Sequence, residues 1–253
     1  MKRFSLATAA LMAAAVSLPA VAADMPVKSY APPAPVYSWS GCYVGAGGGY
    51  GFWRQDNVVL DAVTRIPIII GQTAGGSGAF GTVQVGCDYQ WSSSWVIGAF
   101  ADYNFANLKG ELGTLGLGII GTETMKSKWA AGGRIGWLPS ERVMAFVSAG
   151  YTQARFDAVN FTGGAGGIVV DTLPAQTYSG FFVGSGVEYG IAWLPGLTWK
   201  TEYRYSDFRK VDTNILTVPG NVALVGLNTH KSSQEVRSEL VWRFGGGAVV
   251  ARY

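Results

Sequence analysis

His230 is the only histidine, and Ser232 stands two residues beyond it. A histidine base close to a serine hydroxyl is the minimal equipment of acyl transfer, provided a carboxylate orients the imidazole. Glu235 and Glu239 are near in sequence, yet on a strand they project from the face opposite His230 and Ser232. A histidine at a loop end, where a strand begins, accounts for the same residues without catalysis. Cys42 and Cys87 are the only cysteines, and with no histidine nearby they do not form a metal site. They make either a cross-strand disulfide or two small apolar groups. Gly45, Gly47, Gly49 and Gly51 invite a nucleotide-loop reading, but neither a helix nor a Lys-Ser/Thr pair follows them. On a strand they share one face, where they would leave room for large neighbours.

The largest polar constellation is Lys126, Lys128, Arg134, Glu188, Lys200, Glu202, Arg204, Glu235, Arg237, Glu239 and Arg243. These charges alternate with apolar and aromatic residues. Lys200, Glu202 and Arg204 oppose Leu197, Trp199, Thr201, Tyr203 and Tyr205. Glu235, Arg237, Glu239 and Arg243 likewise oppose Val236, Leu240, Trp242 and Phe244, and Lys126, Lys128 and Arg134 oppose Trp129, Ala131, Ile135 and Trp137. Glu188 faces away from Phe181, Val183, Val187 and Tyr189, while Gln84, Asp88, Asp102 and Asn104 occupy polar faces of their own. The constellation reads as a salt-bridged plug or as the lining of a pore. An eight-stranded barrel has an interior that side chains just fill, which favours the plug.

Composition excludes several classes. Only 14% of the 253 residues are charged, and 36 glycines argue against a helical protein. Twelve Phe, twelve Tyr and nine Trp argue against disorder. With 19 Lys plus Arg against 16 Asp plus Glu, the chain is no strongly basic nucleic-acid binder. No metal or cofactor motif emerges. Lys2-Arg3, an apolar run to Leu18 and the small residues Ala20 to Ala23 read as a secretory leader cleaved after Ala23. Residues 24–40, with Pro26, Pro32, Pro33 and Pro35, read as an extended periplasmic linker.

Period-two patterning then predicts an all-β chain of eight strands over 41–244. They are Gly41–Arg54, Ala79–Trp91, Trp95–Asn107, Met125–Trp137, Val143–Asp157, Ser179–Trp193, Leu197–Arg209 and Ser232–Phe244. The inward set of the fifth cannot be assigned from its sequence. Tight turns at 92–94, 138–142 and 194–196 alternate with long links at 55–78, 108–124, 158–178 and 210–231. Short turns on one side and long loops on the other are the pattern of an antiparallel up-and-down transmembrane β-barrel. The long links hold Ile66 to Ile70, Leu115 to Ile120, Ile168 to Val170 and Leu224-Val225, and are expected to extend the barrel wall and bury these residues against each other.

Charges on one face and aromatics on the other also suit a soluble, lipocalin-like barrel. Tryptophan placement decides between the two. Trp91, Trp95, Trp137, Trp193, Trp199 and Trp242 lie beside tight turns or the last strand end, so an up-and-down threading gathers them at one rim. Indoles favour a membrane interface, and a soluble core would not sort them by strand end.

The leader, Ala31-Pro32-Pro33-Ala34-Pro35, the run GCYVGAGGGYGF from Gly41, VGCDYQ from Val85 and the terminal VWRFGGGAVVARY resemble alphaproteobacterial outer-membrane β-barrels. These are opacity-type surface antigens, similar to the 25–31 kDa proteins of Brucella and Rhizobiales. The resemblance implies a Gram-negative outer-membrane protein among lipid and lipopolysaccharide, inserted by the assembly machinery, whose loops meet host or surface ligands. It implies an antigen, adhesin or envelope-integrity role and brings no catalytic residues. The His230-x-Ser232 spacing also resembles lipid A deacylase barrels, although the surrounding residues do not. A narrow channel and a lipid-modifying hydrolase are therefore the alternatives. Trp242-Arg243-Phe244 has the alternating aromatics that the assembly machinery reads, with residues 245–253 left as a periplasmic tail.

Overall fold

The computed structural model describes residues 37–114, 119–163 and 167–244. The leader, most of the Pro-rich segment, the 245–253 tail and most of the Leu115–Ile120 stretch lie outside the described residues. The strands are β1 (Gly41–Asp61), β2 (Pro67–Gln90), β3 (Trp95–Thr114), β4 (Ile119–Ser140), β5 (Val143–Phe156), β6 (Val159–Gly163), β7 (Ile168–Leu173), β8 (Gln176–Gly190), β9 (Leu197–Thr217) and β10 (Ala223–Phe244). All pairings are antiparallel. Because β10 pairs with both β9 and β1, the strands β1 to β5 and β8 to β10 close an eight-stranded ring without a free edge.

The hairpin β6–β7 continues that wall. Above the end of β5, Thr162 of β6 pairs with Ile120 of β4; above the start of β8, Asp171 and Thr172 of β7 pair with Thr217 and Leu216 of β9. Pro174, with no N–H to donate to a ladder, lies between β7 and β8. Ten segments thus occupy eight positions around the ring.

Several strands run well beyond the lengths their alternation predicts, to 24 residues in β2 and 22 in β10. The links at 55–78 and 210–231 are mostly ladder: Gln55 pairs with Ala74, and Val211 with Thr229. Past Phe52, Phe105 and Phe181 the outward residues turn polar, as at Arg54, Asp56, Lys109 and Arg209, so alternation fades while pairing continues. Asp61 closes the β1–β2 turn by accepting the N–H groups of Thr64 (2.7 Å) and Val63 (3.0 Å). Those donors, Thr64 foremost, hold its carboxyl below the ordinary carboxylate value.

Wall extension does not bury all the link residues. Ile66, Ile68 and Ile70 are 63%, 56% and 76% exposed, because they sit on the turn or the outer face of β2; the buried row is instead Leu112, Val159, Phe161, Leu173, Ile215 and Leu227. The inward face of β5 carries Met144, Phe146, Ala154 and Phe156, so both of its faces are apolar and its sequence hides its orientation.

At the opposite end the packing begins at the last residues of the segment read as a linker. Trp39 is fully buried among Val96, Leu138, Met144 and Phe146, and its indole N–H donates to the Glu141 carbonyl at 3.0 Å. The chain therefore enters the barrel mouth before β1 begins.

The glycines of β1 face inward as spaced. A Cβ at Gly49 would stand 2.6 Å from Phe80 Cζ, and one at Gly51 would stand 2.9 Å from Leu108 Cδ2. Gly49→Val is expected to cost about 1–3 kcal/mol by overpacking. A lower temperature for the folded-to-unfolded gel shift of the refolded protein would register it, with outward Ala46→Val as the insensitive control.

Candidate functional site: the charged lumen

Inward positions of β2, β3, β4, β8, β9 and β10 bring the charges into one column. Toward the tight-turn end, Arg134 grips Asp88 through Nε (2.9 Å) and Nη2 (2.6 Å) and reaches Glu188 at 3.0 Å. Arg243 bridges the same two carboxylates at 2.6 and 2.7 Å. Thr198 donates its hydroxyl to Glu188 at 2.6 Å, and the rings of Tyr43 and Trp39 lie under the two guanidinium groups.

Higher up, Lys200 sits 2.6 Å from Glu239 and 3.3 Å from Glu202 and donates to Gln84 at 2.7 Å. Arg204 joins Asp102 (2.8 Å) to Glu202 (3.0 Å) and lies over the Phe182 ring. Arg237 shares Asp102 at 3.2 Å and also pairs with Glu235. Lys128 approaches Glu235 at 2.7 Å. Lys231 pairs with Glu123 at 2.7 Å and with Gln55, inside a box made by Trp53, Phe156 and Tyr178.

Seven cations and seven carboxylates therefore share the lumen, each at most 5% exposed or, for Asp88, 6%. Burial of this kind is tolerable only when every charge is paired and hydrogen-bonded. Each of these charges has an opposite charge within ion-pair distance, although Asp102 Oδ1, Glu123 Oε2, Glu239 Oε2 and the Nε atoms of Arg237 and Arg243 make no hydrogen bond. Of the charges grouped from sequence, ten meet here.

Lys126 does not. A bulge between Met125 and Ser127 turns it outward, where it sits 3.4 Å from Asp157 with its side chain 51% exposed. Alternation cannot register one extra residue. The sequence puts Asp88 and Asp102 on polar faces but carries no sign that they join the network. Glu123 and Lys231 fall in the links of the sequence reading; parity continued from Ser233 would place Lys231 inward, whereas the bulge after Met125 makes parity from Lys128 misleading for Glu123.

All six tryptophans are outward at the tight-turn end; Trp193 is 79% exposed, and Trp95 faces Trp137 across β3 and β4. A second set of exposed aromatics, Tyr50, Phe52, Tyr103, Phe105, Trp129, Tyr151, Phe181 and Tyr203, encircles the barrel farther along. Between them the outer face carries Val83, Val85, Ile97, Ile135, Val147, Val183 and Leu240. Cys42 and Cys87 stand opposite each other on β1 and β2, outward, joined in a disulfide.

His230 and Ser232 also face outward, and Glu235 and Glu239 are inside. The carboxylate partner that seemed to be missing comes from the neighbouring strand: Asp207 lies 3.3 Å from His230 Nε2 and is paired in register with Ser232. The pair lies on the outer wall, beside the irregularity between Thr229 and Lys231 where β10 changes register against β9.

No protein-family model matches the chain. It is 29% identical to the 31 kDa outer-membrane immunogenic proteins of Brucella melitensis and Brucella suis over 248 residues, 90% of this chain and 99% of each relative. Its fold is similar to that of the outer-membrane protein OprG from Pseudomonas aeruginosa, with a TM-score of 0.50 at 11% identity, covering 82% of this chain and 99% of that one.

Glu188→Gln leaves Arg134 and Arg243 dependent on Asp88 alone and is expected to destabilise the protein by about 3–5 kcal/mol. Replacing Lys231 and Glu123, which form no other ion pair among the described residues, together by Met is expected to cost far less than either single change. Urea unfolding in lipid vesicles measures both.

Proposed function

We propose that this chain, an outer-membrane β-barrel protein similar to the Brucella 31 kDa immunogenic proteins, is a closed, non-catalytic barrel that reinforces the envelope and displays its outer turns as an antigen- or adhesin-like surface. The observation that carries the reading is the neutral column of seven buried cations and seven carboxylates, which occupies the space a conduit would need.

The outer face supports the membrane role. On β3, Trp95 and Phe105 are ten residues apart. At about 3.3 Å per residue and about 40° of tilt, that is about 25 Å of height, the usual apolar band of such barrels. The six tryptophans then form the periplasmic girdle, and the second aromatic set forms the outer one. Lipid and lipopolysaccharide surround this band. The disulfide lies at the periplasmic rim and staples β1 to β2. The leader would direct export, and the outward aromatics of β10 would serve the assembly machinery. Exposed Val63, Ile66, Ile168 and Val222 give the outer turns an apolar surface for a host or surface ligand.

In planar bilayers the purified protein is expected to give no ohmic steps above baseline. Regular steps of fixed conductance would instead favour the narrow channel. Lipid A from cells carrying His230→Ala is expected to keep the acylation pattern of wild type, and a changed mass would return the hydrolase reading.

A further inference from the structure

At the outer end the barrel interior changes character. Leu112, Phe161, Leu173, Ile215 and Leu227 surround a cavity of about 230 Å³. Asn57 lines it and accepts a hydrogen bond from Thr229 Oγ1 at 2.8 Å; the next inward residue on each strand belongs to the Lys231, Gln55 and Glu123 cluster. The cavity thus ends blind on the charged column. An apolar cavity of roughly 150 Å³ accepts benzene, so this one suits roughly ten non-hydrogen atoms. One aromatic ring with a short side chain has that size.

Asn57, Gln72 and Asp171 interrupt the apolar wall, and of these only Asp171 is ionisable. Asp171 projects from β7 in the same inward row as Leu173 and is 9% exposed. The seven buried cations are all engaged with the other seven carboxylates in the column beneath. Among the described residues, no Lys, Arg or His lines the cavity, and Asp171 takes part in no ion pair. A single carboxylate on an otherwise uncharged, mostly apolar wall is complementary to a ligand that carries one positive charge on an apolar body.

We propose that this cavity binds a small organic amine: a compact apolar body of one ring or a short branched chain, with a single ammonium group. The ammonium meets the Asp171 carboxylate, and the body lies among Leu112, Phe161, Leu173 and Ile215. Exposed Leu224 and Ile68, on the outer rim of the cavity, give an apolar body a surface to cross on entry. The site goes beyond the envelope role and does not depend on whether the lumen conducts.

The test is calorimetric titration of 2-phenylethylamine into the protein in lipid nanodiscs, with the heat of empty nanodiscs subtracted. Saturable binding at one site is expected. Asp171→Asn should weaken the amine roughly ten- to a hundredfold, as expected for a charge-assisted bond, while leaving 2-phenylethanol nearly unchanged. Leu173→Trp, which fills the cavity, should abolish binding of both; if it does not assemble, Ile215→Phe takes its place. No saturable heat with the amine, equal amine affinity in wild type and Asp171→Asn, or equally tight binding of 3-phenylpropanoate would overturn the proposal.

Discussion

Arg204 and Arg237 rest on the one carboxylate of Asp102, and the rest of the barrel follows from the need to satisfy groups of that kind. An eight-stranded ring encloses only enough space for side chains, with little water to solvate an ion. Every charge within the column must therefore find its opposite there. β9 and β10 supply most of the long charged side chains, and β1, which closes against β10, answers with a run of inward glycines. Where the column stops, the interior becomes aromatic or aliphatic, in layers that cap it at both ends.

The same charges fix register. A slip of one residue in β10 would carry Arg237 and Glu239 to the lipid face and Val236 and Leu240 into the lumen. Either move leaves an ion without a partner in hydrocarbon. Replacing such pairs by hydrophobic groups is often neutral for stability, so the column is better understood as a constraint on which strand arrangement can form than as a source of net stability. The outer face contributes little to that choice, because its apolar residues are interchangeable against lipid.

Much of this was legible in the chain. Lys200, Glu202 and Arg204 opposite Trp199, Thr201 and Tyr203 assign both faces of β9 at once, and the short turns at 92–94 and 194–196 assign its threading. The membrane supplies that clarity, since it demands apolar residues on every outward position. Above it the demand lapses. Outward His230, Asn228 and Asp212 are as polar as the interior, so Lys231 and Glu123 lost their marking and their strands were cut short. Lys126 was misplaced by a bulge, which leaves no trace in composition. Trp39 looks like part of the Pro-rich segment beside it, because its role comes from contacts with Leu138 and Met144 a hundred residues away. Asp207, a partner of His230, was equally invisible because strand pairing alone brings it near.

The closed column is tested most directly by exchange of its own protons. In nitrogen-labelled protein in nanodiscs, the Nε–H groups of Arg204 and Arg237 should give separate, sharp resonances that persist for hours in deuterated buffer. Resonances that are averaged together, or lost as fast as those of exposed Arg54 and Arg209, would mean a hydrated and mobile lumen and would contradict the account.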